Sequence, residues 1–191
     1  SATNTIDLGD NAIIIENCDY NDVGSVLTGD SLSSTVGILA DDTNSDLTLN
    51  GTEVSGYATG VSKENGVLFM IGDAEIAGTD YGVYAEDTYV YALVAHVDGG
   101  ATGTGLHVVD SPDAWVYPMD ASGAIGMYVE NTPFRWDGGV SDATTALSVV
   151  DAIGTVENLT WSDSTTQMNA GNNAHITSIG NTLDASKLVV A

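Results

Sequence analysis

The chain has 191 residues and carries 27 acidic against 3 basic side chains, which gives a formal net charge of −24. Nucleic acid is excluded as a partner because so few cations cannot neutralise a row of phosphates. No membrane insertion is expected either, because no apolar run approaches the roughly 20 residues of a membrane span and an anionic membrane surface requires clustered Lys or Arg.

A six-residue unit recurs along the chain and begins at residues 12, 37, 60, 82, 105, 126, 146 and 167. Its second residue is apolar in every copy, and its fourth is apolar in every copy except the third, where it is Lys63. Apolar residues two apart predict a strand with one face buried. No helical periodicity separates these strands. The sequence therefore predicts an all-β, single-domain solenoid over residues 1–191, with about eight coils of roughly 21–23 residues.

The last residue of every unit is Asn or Asp. These side chains tolerate a left-handed backbone and form hydrogen bonds within tight turns. When coils stack at about 4.8 Å, such side chains can also bond one another along the stack. The eight predicted ladder residues are Asn17, Asp42, Asn65, Asp87, Asp110, Asn131, Asp151 and Asn172.

With this coil length and this turn, the chain resembles the right-handed parallel β-helix superfamily, the pectate-lyase-like fold. The resemblance implies that a polysaccharide-cleaving activity must be considered. Lyases of that family need a basic residue beside a calcium-binding carboxylate cluster, and here the basic residues are Lys63, Arg135 and Lys187. Its hydrolases need a Gly-His and an Arg-x-Lys motif, and neither is present. We therefore expect no enzymatic activity and no required cofactor, with a polysaccharide-binding or polysaccharide-cleaving module of a larger surface protein as the alternative.

A calcium site is the one metal site that the ladder predicts. Asp87 and Asp110 are consecutive ladder residues, and Glu86 lies beside them. Stacked carboxylates can hold a hard cation such as Ca²⁺. The alternative is a turn-forming ladder that needs no metal.

Aromatic residues predict a binding surface. Tyr84, His107 and Tyr128 occupy the outward third position of three successive units. Such a stripe suits an interface with another protein or with sugar rings. Two further same-face pairs are Trp115 with Tyr117 and Phe134 with Trp136.

Several features favour a location outside the cell or at the cell surface. Asn50 and Asn158 each begin an N-glycosylation acceptor pattern. The first residues contain neither an initiator Met nor an apolar leader, which is consistent with a removed secretion signal. Extreme acidity is typical of proteins kept soluble in concentrated salt, so we expect a salt-adapted source.

The two ends of the solenoid predict self-association. Residues 187–191 begin a ninth unit, in which Leu188 and Val190 match inward positions. At the other end Ile6 and Leu8 enter the first coil directly. Uncovered coils expose strand backbone and apolar core, and pairing the top of one copy with the bottom of the next makes an open polymer. We therefore expect a non-enzymatic structural protein that forms a filament, sheath or coat from copies of itself.

Overall fold

The computed structural model describes residues 5–6, 11–16, 18–30, 35–40, 45–162 and 164–190. All strand pairs are parallel and join in one 19-stranded sheet, which forms a β-solenoid of about eight turns. The predicted all-β solenoid is confirmed. Among the described residues the only helix is a 3₁₀ turn, Ala185–Lys187, and no helix there is long and apolar enough to cross a membrane.

The strands form three faces, which we call A, B and C. Five long strands bend from one face to another: β7 (Glu53–Glu64), β8 (Val67–Glu86), β9 (Tyr89–Asp98), β12 (Met119–Glu130) and β14 (Val140–Val150). Face A contains the six-residue units; besides the ends of β7, β8, β12 and β14 it comprises β2 (Asn11–Ile14), β5 (Val36–Ala40), β10 (Thr104–Val109), β17 (Thr166–Gly171) and β19 (Leu188–Val190).

The other two faces use the remaining strands and the earlier parts of the long ones. Face B adds β3 (Tyr20–Val23), β6 (Asp46–Asn50), β11 (Ala114–Val116), β13 (Phe134–Asp137), β15 (Ile153–Glu157) and β18 (His175–Ile179) to the starts of β8 and β9. Face C adds β1 (Thr5–Ile6), β4 (Val26–Thr28) and β16 (Thr160–Trp161) to parts of all five long strands.

The core consists of columns in which each inward residue stacks on its equivalent one coil below. Val83, Leu106 and Met127 are in register on adjacent strands of face A and are all 0% exposed. The same holds for Val108 and Val129 in the neighbouring column. The period-two pattern thus placed the core correctly, because successive side chains of a strand point to opposite faces.

Glycine opens most of the units because adjacent coils approach closely there. A Cβ atom on Gly82 would lie 2.7 Å from the carbonyl oxygen of Gly105, and one on Gly105 would lie 2.7 Å from that of Gly126. Real Cβ atoms do not come so close to a carbonyl oxygen. The recurring glycine is therefore a packing requirement of the solenoid.

The predicted turn is present in every copy that the structure describes. The six ladder residues from Asn65 onward have positive φ, between 47° and 61°. The Asn131 amide donates to Oδ1 of Asp110 at 2.9 Å, and the Asn172 amide donates to Oδ2 of Asp151 at 3.3 Å. Asn and Asp adopt this left-handed conformation more readily than other side chains do. Asn17 and Asp42 lie outside the described residues.

Candidate functional site

Face A carries a continuous stack of aromatic rings, which we call the face A stack. The Tyr84 and His107 rings lie 5.3 Å apart with an interplanar angle of 22°, and His107 and Tyr128 lie 4.5 Å apart at 17°. Tyr81 contacts Tyr84 and His107 edge-on. Parallel register produces the stack, because Tyr84, His107 and Tyr128 are direct partners on β8, β10 and β12.

Two carboxylates fix the tyrosines of the face A stack. The Tyr84 hydroxyl donates to Glu86 at 2.7 Å, and the Tyr128 hydroxyl donates to Glu130 at 2.7 Å. Each pair lies two residues apart on one strand, so both side chains leave the same face. Burial and the hydrogen bond to Glu130 raise the pKa of Tyr128 to about 12. Burial and Glu86 raise the pKa of Tyr84 as well.

His107 lies between the two tyrosines and is half-buried. Its Nδ1 atom is buried and has no hydrogen-bond partner among the described residues. Burial lowers the pKa of the imidazole, although Glu130 and Glu86 act in the opposite direction. Burial thus favours the neutral form of the ring, which packs between the two tyrosines of the stack.

The geometry of the face A stack limits what it can bind. Its rings lie face to face along the solenoid, so the π-faces of His107 are covered by Tyr84 and Tyr128. A sugar ring stacks on an exposed aromatic face, which this arrangement does not offer at its centre. The predicted interface at Tyr84, His107 and Tyr128 stays a prediction, and any partner there would meet ring edges and the Glu86 and Glu130 carboxylates.

Face B presents the most exposed aromatic surface, which we call the face B patch. Phe69 and Tyr91 stack at 5.1 Å and 16°, whereas Trp115 is turned 68° from Tyr91. Trp115 is 42% exposed and Tyr117 is 50% exposed. Three further exposed apolar residues border them: Tyr89, Leu93 and Val94. Of the two aromatic pairs noted in the sequence, Trp115 with Tyr117 is therefore exposed, whereas Phe134 and Trp136 lie in the core, at 5% and 0% exposed.

Face C contains an open groove of about 550 Å³. Its lining is acidic, with five carboxylates and one imidazole: Glu53, Glu75, Asp98, Asp120, Asp142 and His96. Nδ1 of His96 lies 3.3 Å from Oδ2 of Asp120. None of the three Lys and Arg side chains lines this groove, so its field attracts cations and repels acidic polymers.

The predicted calcium site stays a prediction. Asp87 is exposed in its ladder turn, and Glu86 already accepts the hydrogen bond of Tyr84. The Asp110 carboxylate accepts from the Asn131 amide. Among the residues that the structure describes, no group of three His, Cys, Asp or Glu side chains is arranged to hold a metal ion.

Lys63, the exception in the apolar pattern, lies in the core and is 0% exposed. Its Nζ donates to the carbonyl oxygens of Glu64 and Asn65 and to Oγ of Ser45. The ammonium group thus satisfies carbonyls of the ladder turn from inside, as a buried cation requires. The sequence signal for this buried cation is the lysine at a position of the repeat that is apolar in every other copy.

A second, internal ladder follows the Asn/Asp ladder by one residue. Thr88, Ser111 and Thr132 are buried on successive coils. The Thr88 amide donates to Oγ of Ser111 at 3.1 Å, and the Ser111 amide donates to Oγ1 of Thr132 at 2.9 Å. Sequence reasoning missed this ladder, although Asx-Thr or Asx-Ser recurs at 87–88, 110–111 and 131–132.

The two glycosylation patterns differ in accessibility. Asn158 is exposed in a turn with φ of 53°. Asn50 is half-buried, and the Thr52 of its pattern is 0% exposed and donates to the buried Asp22 at 2.6 Å. Glycosylation stays a prediction at both asparagines, with Asn158 the accessible one of the pair.

The end residues predicted for self-association are placed as follows. Leu188 and Val190 lie in β19, which pairs with β17, and they are 38% and 85% exposed. Ile6 lies in β1 opposite Leu27 of β4. Leu8 lies outside the described residues.

No protein-family model matches the chain, and no curated protein or solved structure matches it.

Proposed function

We propose that this protein is a non-enzymatic structural solenoid that self-associates through its end coils into a filament, sheath or cell-surface coat. The observation that carries this proposal is the uncovered edge of β19. Leu188, Val189 and Val190 are 38%, 46% and 85% exposed, and β19 pairs only with β17 among the described strands. Apolar side chains beside an unpaired strand edge favour the addition of another strand.

The placement of the basic residues supports a role without catalysis. Lys63 is buried in the core. Arg135 lies 3.0 Å from Asp137 and 3.3 Å from Glu157 on face B. Lys187 donates to the Ser164 carbonyl at 2.8 Å. Each cation therefore already has structural partners, whereas a lyase needs a basic group free to take a proton from its substrate.

We also propose a fold type and a cellular location for the solenoid. We assign the solenoid to the right-handed, pectate-lyase-like type, because parallel crossovers are almost always right-handed and the Asn/Asp turn recurs at the same place in each described coil. A net charge of −24 supports an extracellular, salt-rich setting, since dissolved salt screens the repulsion between carboxylates.

Sedimentation velocity of the purified chain at increasing NaCl tests the proposed function. We expect the unmodified chain to form multimers whose size grows with protein concentration. The double variant Leu188→Asp/Val190→Asp should remain a folded monomer, because charges would then line the uncovered edge. Ile153→Asp is the matched control: Ile153 is 69% exposed on face B, away from that edge, and its variant should still assemble. A monomeric unmodified chain at molar NaCl would rule out self-association.

Polysaccharide binding is a second candidate, favoured by the exposed rings of Trp115 and Tyr117. The two residues follow each other on one side of face B and are half exposed, so they can stack on sugar rings. Affinity electrophoresis in gels that contain an uncharged β-glucan tests this candidate. We expect retardation that Trp115→Ala abolishes and Tyr84→Ala on face A leaves intact. Equal mobility with and without the glucan would contradict it.

A further inference from the structure

Val94, in the face B patch, has an unusual backbone conformation for its side chain. Its φ is 61°, and the residue is 41% exposed. The strand register places Val94 at the corner where face B ends, and seven other coils have an equivalent corner residue. Two of the seven are Pro118 and Asn158, and the other five are glycines with φ between 60° and 73°. These glycines are Gly24, Gly51, Gly72, Gly138 and Gly180.

Folding alone does not account for Val94. A β-branched side chain is strained in the left-handed conformation, whereas glycine adopts it without strain. The exposed side chain gains little from the core in return. Strained residues of this kind cluster at binding sites. The apolar side chain of Val94 therefore indicates a contact with something outside the chain.

Val94 extends an uncharged part of the surface. Residues 67–71, 89–94 and 114–118 lie side by side on three successive coils and contain no acidic or basic residue, although the chain has a net charge of −24. The outward side chains of these segments are the seven of the face B patch together with Val67 and Ile71. An anionic ligand would meet no cation within this area, so the face B patch suits an uncharged ligand.

The face B patch is small and lies on a flat part of the surface. Its outward side chains project from one side of a sheet, and three strands of five residues span only about 10 Å by 13 Å. A stable protein–protein interface buries about 800 Å² on each partner, which is more than this area supplies. Sites that enclose a single small ligand are concave, and the groove on face C contains no residue of the patch. The ligand that fits best is therefore itself flat.

Polar residues border the face B patch on the coils below and above it. Thr48 is the strand partner of Phe69, and Arg135 is the strand partner of Trp115. The Arg135 guanidinium lies 3.0 Å from the Asp137 carboxylate, which holds it at the border. An apolar centre with polar borders is complementary to sugar rings, because their faces carry C–H groups and their edges carry hydroxyl groups.

We propose that the face B patch binds the flat surface of an insoluble, uncharged polysaccharide, in which packed chains present many sugar rings at once. A single soluble chain covers a narrow part of the patch, around Trp115 and Tyr117. A packed surface also reaches Tyr89 and Val94 on the coil below, and these additional contacts tighten binding. The inference rests on the second candidate function, polysaccharide binding, and specifies the physical form of its ligand.

A pull-down with insoluble cellulose tests the proposal, with affinity gels that contain soluble hydroxyethyl cellulose as the comparison. Both are uncharged β-glucans, but only the first presents packed chains. We expect retention on cellulose that Trp115→Ala abolishes. Val94→Gly should weaken binding to cellulose about 3–10-fold, leave the mobility in the soluble glucan unchanged, and raise the Tm by about 2–5 °C through relief of backbone strain. A tube without cellulose corrects for multimers that sediment alone.

Two controls match these variants. Asn158→Gly changes the equivalent corner on another coil, outside the face B patch, and should bind cellulose as the unmodified chain does. Carboxymethyl cellulose has the same backbone with added carboxylates, and it should not retard the chain. Retention that Asn158→Gly weakens as much as Val94→Gly does, or retardation by carboxymethyl cellulose, would contradict the proposal.

The remaining outcomes separate this inference from the candidate function on which it rests. Retardation by the soluble glucan without retention on cellulose would overturn the inference and leave polysaccharide binding standing, as would an equal loss of both in Val94→Gly. The absence of both would overturn polysaccharide binding as well. A dimer in sedimentation velocity that Trp115→Ala abolishes would assign the face B patch to a second copy of the chain and overturn the inference.

Discussion

Leu106→Ala tests the column packing on which the solenoid depends. Leu106 is 0% exposed and lies between Val83 and Met127, which are also fully buried. Such truncations cost about 2–5 kcal/mol, and the cost is greater where the cavity cannot collapse. Here both neighbours belong to strands bonded to β10, which keeps the coils about 4.8 Å apart. We therefore expect a loss of about 3–4 kcal/mol in the free energy of unfolding.

Thermal and urea unfolding followed by circular dichroism measure this loss. At this chain length about 3–4 kcal/mol corresponds to a fall in Tm of roughly 10 °C. Tyr84→Ser on the outer side is the control and should cost less, about 1–2 kcal/mol, because this half-exposed residue loses its ring contacts with Tyr81 and His107 and its hydrogen bond to Glu86 but leaves no core cavity. Val108→Asp should be more damaging than Leu106→Ala, since it places a charge in the core. Equal losses for Leu106→Ala and Tyr84→Ser would refute the assigned inward and outward positions.

Three further predictions follow from charge, the turn and the face A stack. The Tm should rise from millimolar to molar NaCl, because salt screens repulsion among the carboxylates; a flat or falling curve in calorimetry would contradict this. Asn131→Ala should cost about 1–2 kcal/mol in urea unfolding through its left-handed backbone and its lost bond to Asp110, and Asn131→Gly should cost less; equal costs would contradict the backbone explanation. Burial lowers the folded-state pKa of His107, so the unfolded chain binds the proton more readily than the folded chain. The free energy of unfolding should therefore fall as pH drops below about 6.5. His107→Phe should reduce this dependence on pH, and an unchanged dependence would show that another group titrates.

The tyrosines predict a second pH dependence at the alkaline end. The pKa of Tyr128 is raised to about 12, so the neutral hydroxyl is favoured in the folded state. Its contribution to stability is complete below pH 10 and is lost as pH rises toward 12. Tyr128→Phe should therefore flatten the stability curve between pH 10 and 12, measured by urea unfolding. A variant with the unchanged alkaline slope would contradict the raised pKa of this hydroxyl, which burial and the hydrogen bond to Glu130 cause.

The sequence predicted the parts of the fold that depend on short-range geometry. Val83 and Val108 were correctly placed in the core because strand residues alternate between faces. Asp110 and Asn131 were correctly placed in turns because their side chains tolerate positive φ. Both properties belong to single residues or to neighbours two positions apart, so a repeat reveals them without knowledge of the other coils.

The candidate sites depend on three-dimensional features that the repeat does not specify. Phe134 and Trp136 share a face with each other, as predicted, but only the register with β11 and β15 shows that this face is the core. The rings of Tyr84 and His107 were assigned to the outside correctly, yet their mutual stacking follows from rotamers that sequence does not reveal. Lys63 was visible as an exception, but the carbonyl oxygens that bind it come from the turn.

Electron microscopy of the chain concentrated in molar NaCl tests the central claim, head-to-tail assembly, most directly. About eight turns at about 4.8 Å per turn predict filaments with an axial repeat near 40 Å and the 4.8 Å spacing running along the filament axis. Separate particles of monomer size at every salt concentration, or filaments whose 4.8 Å spacing runs across the axis, would contradict it.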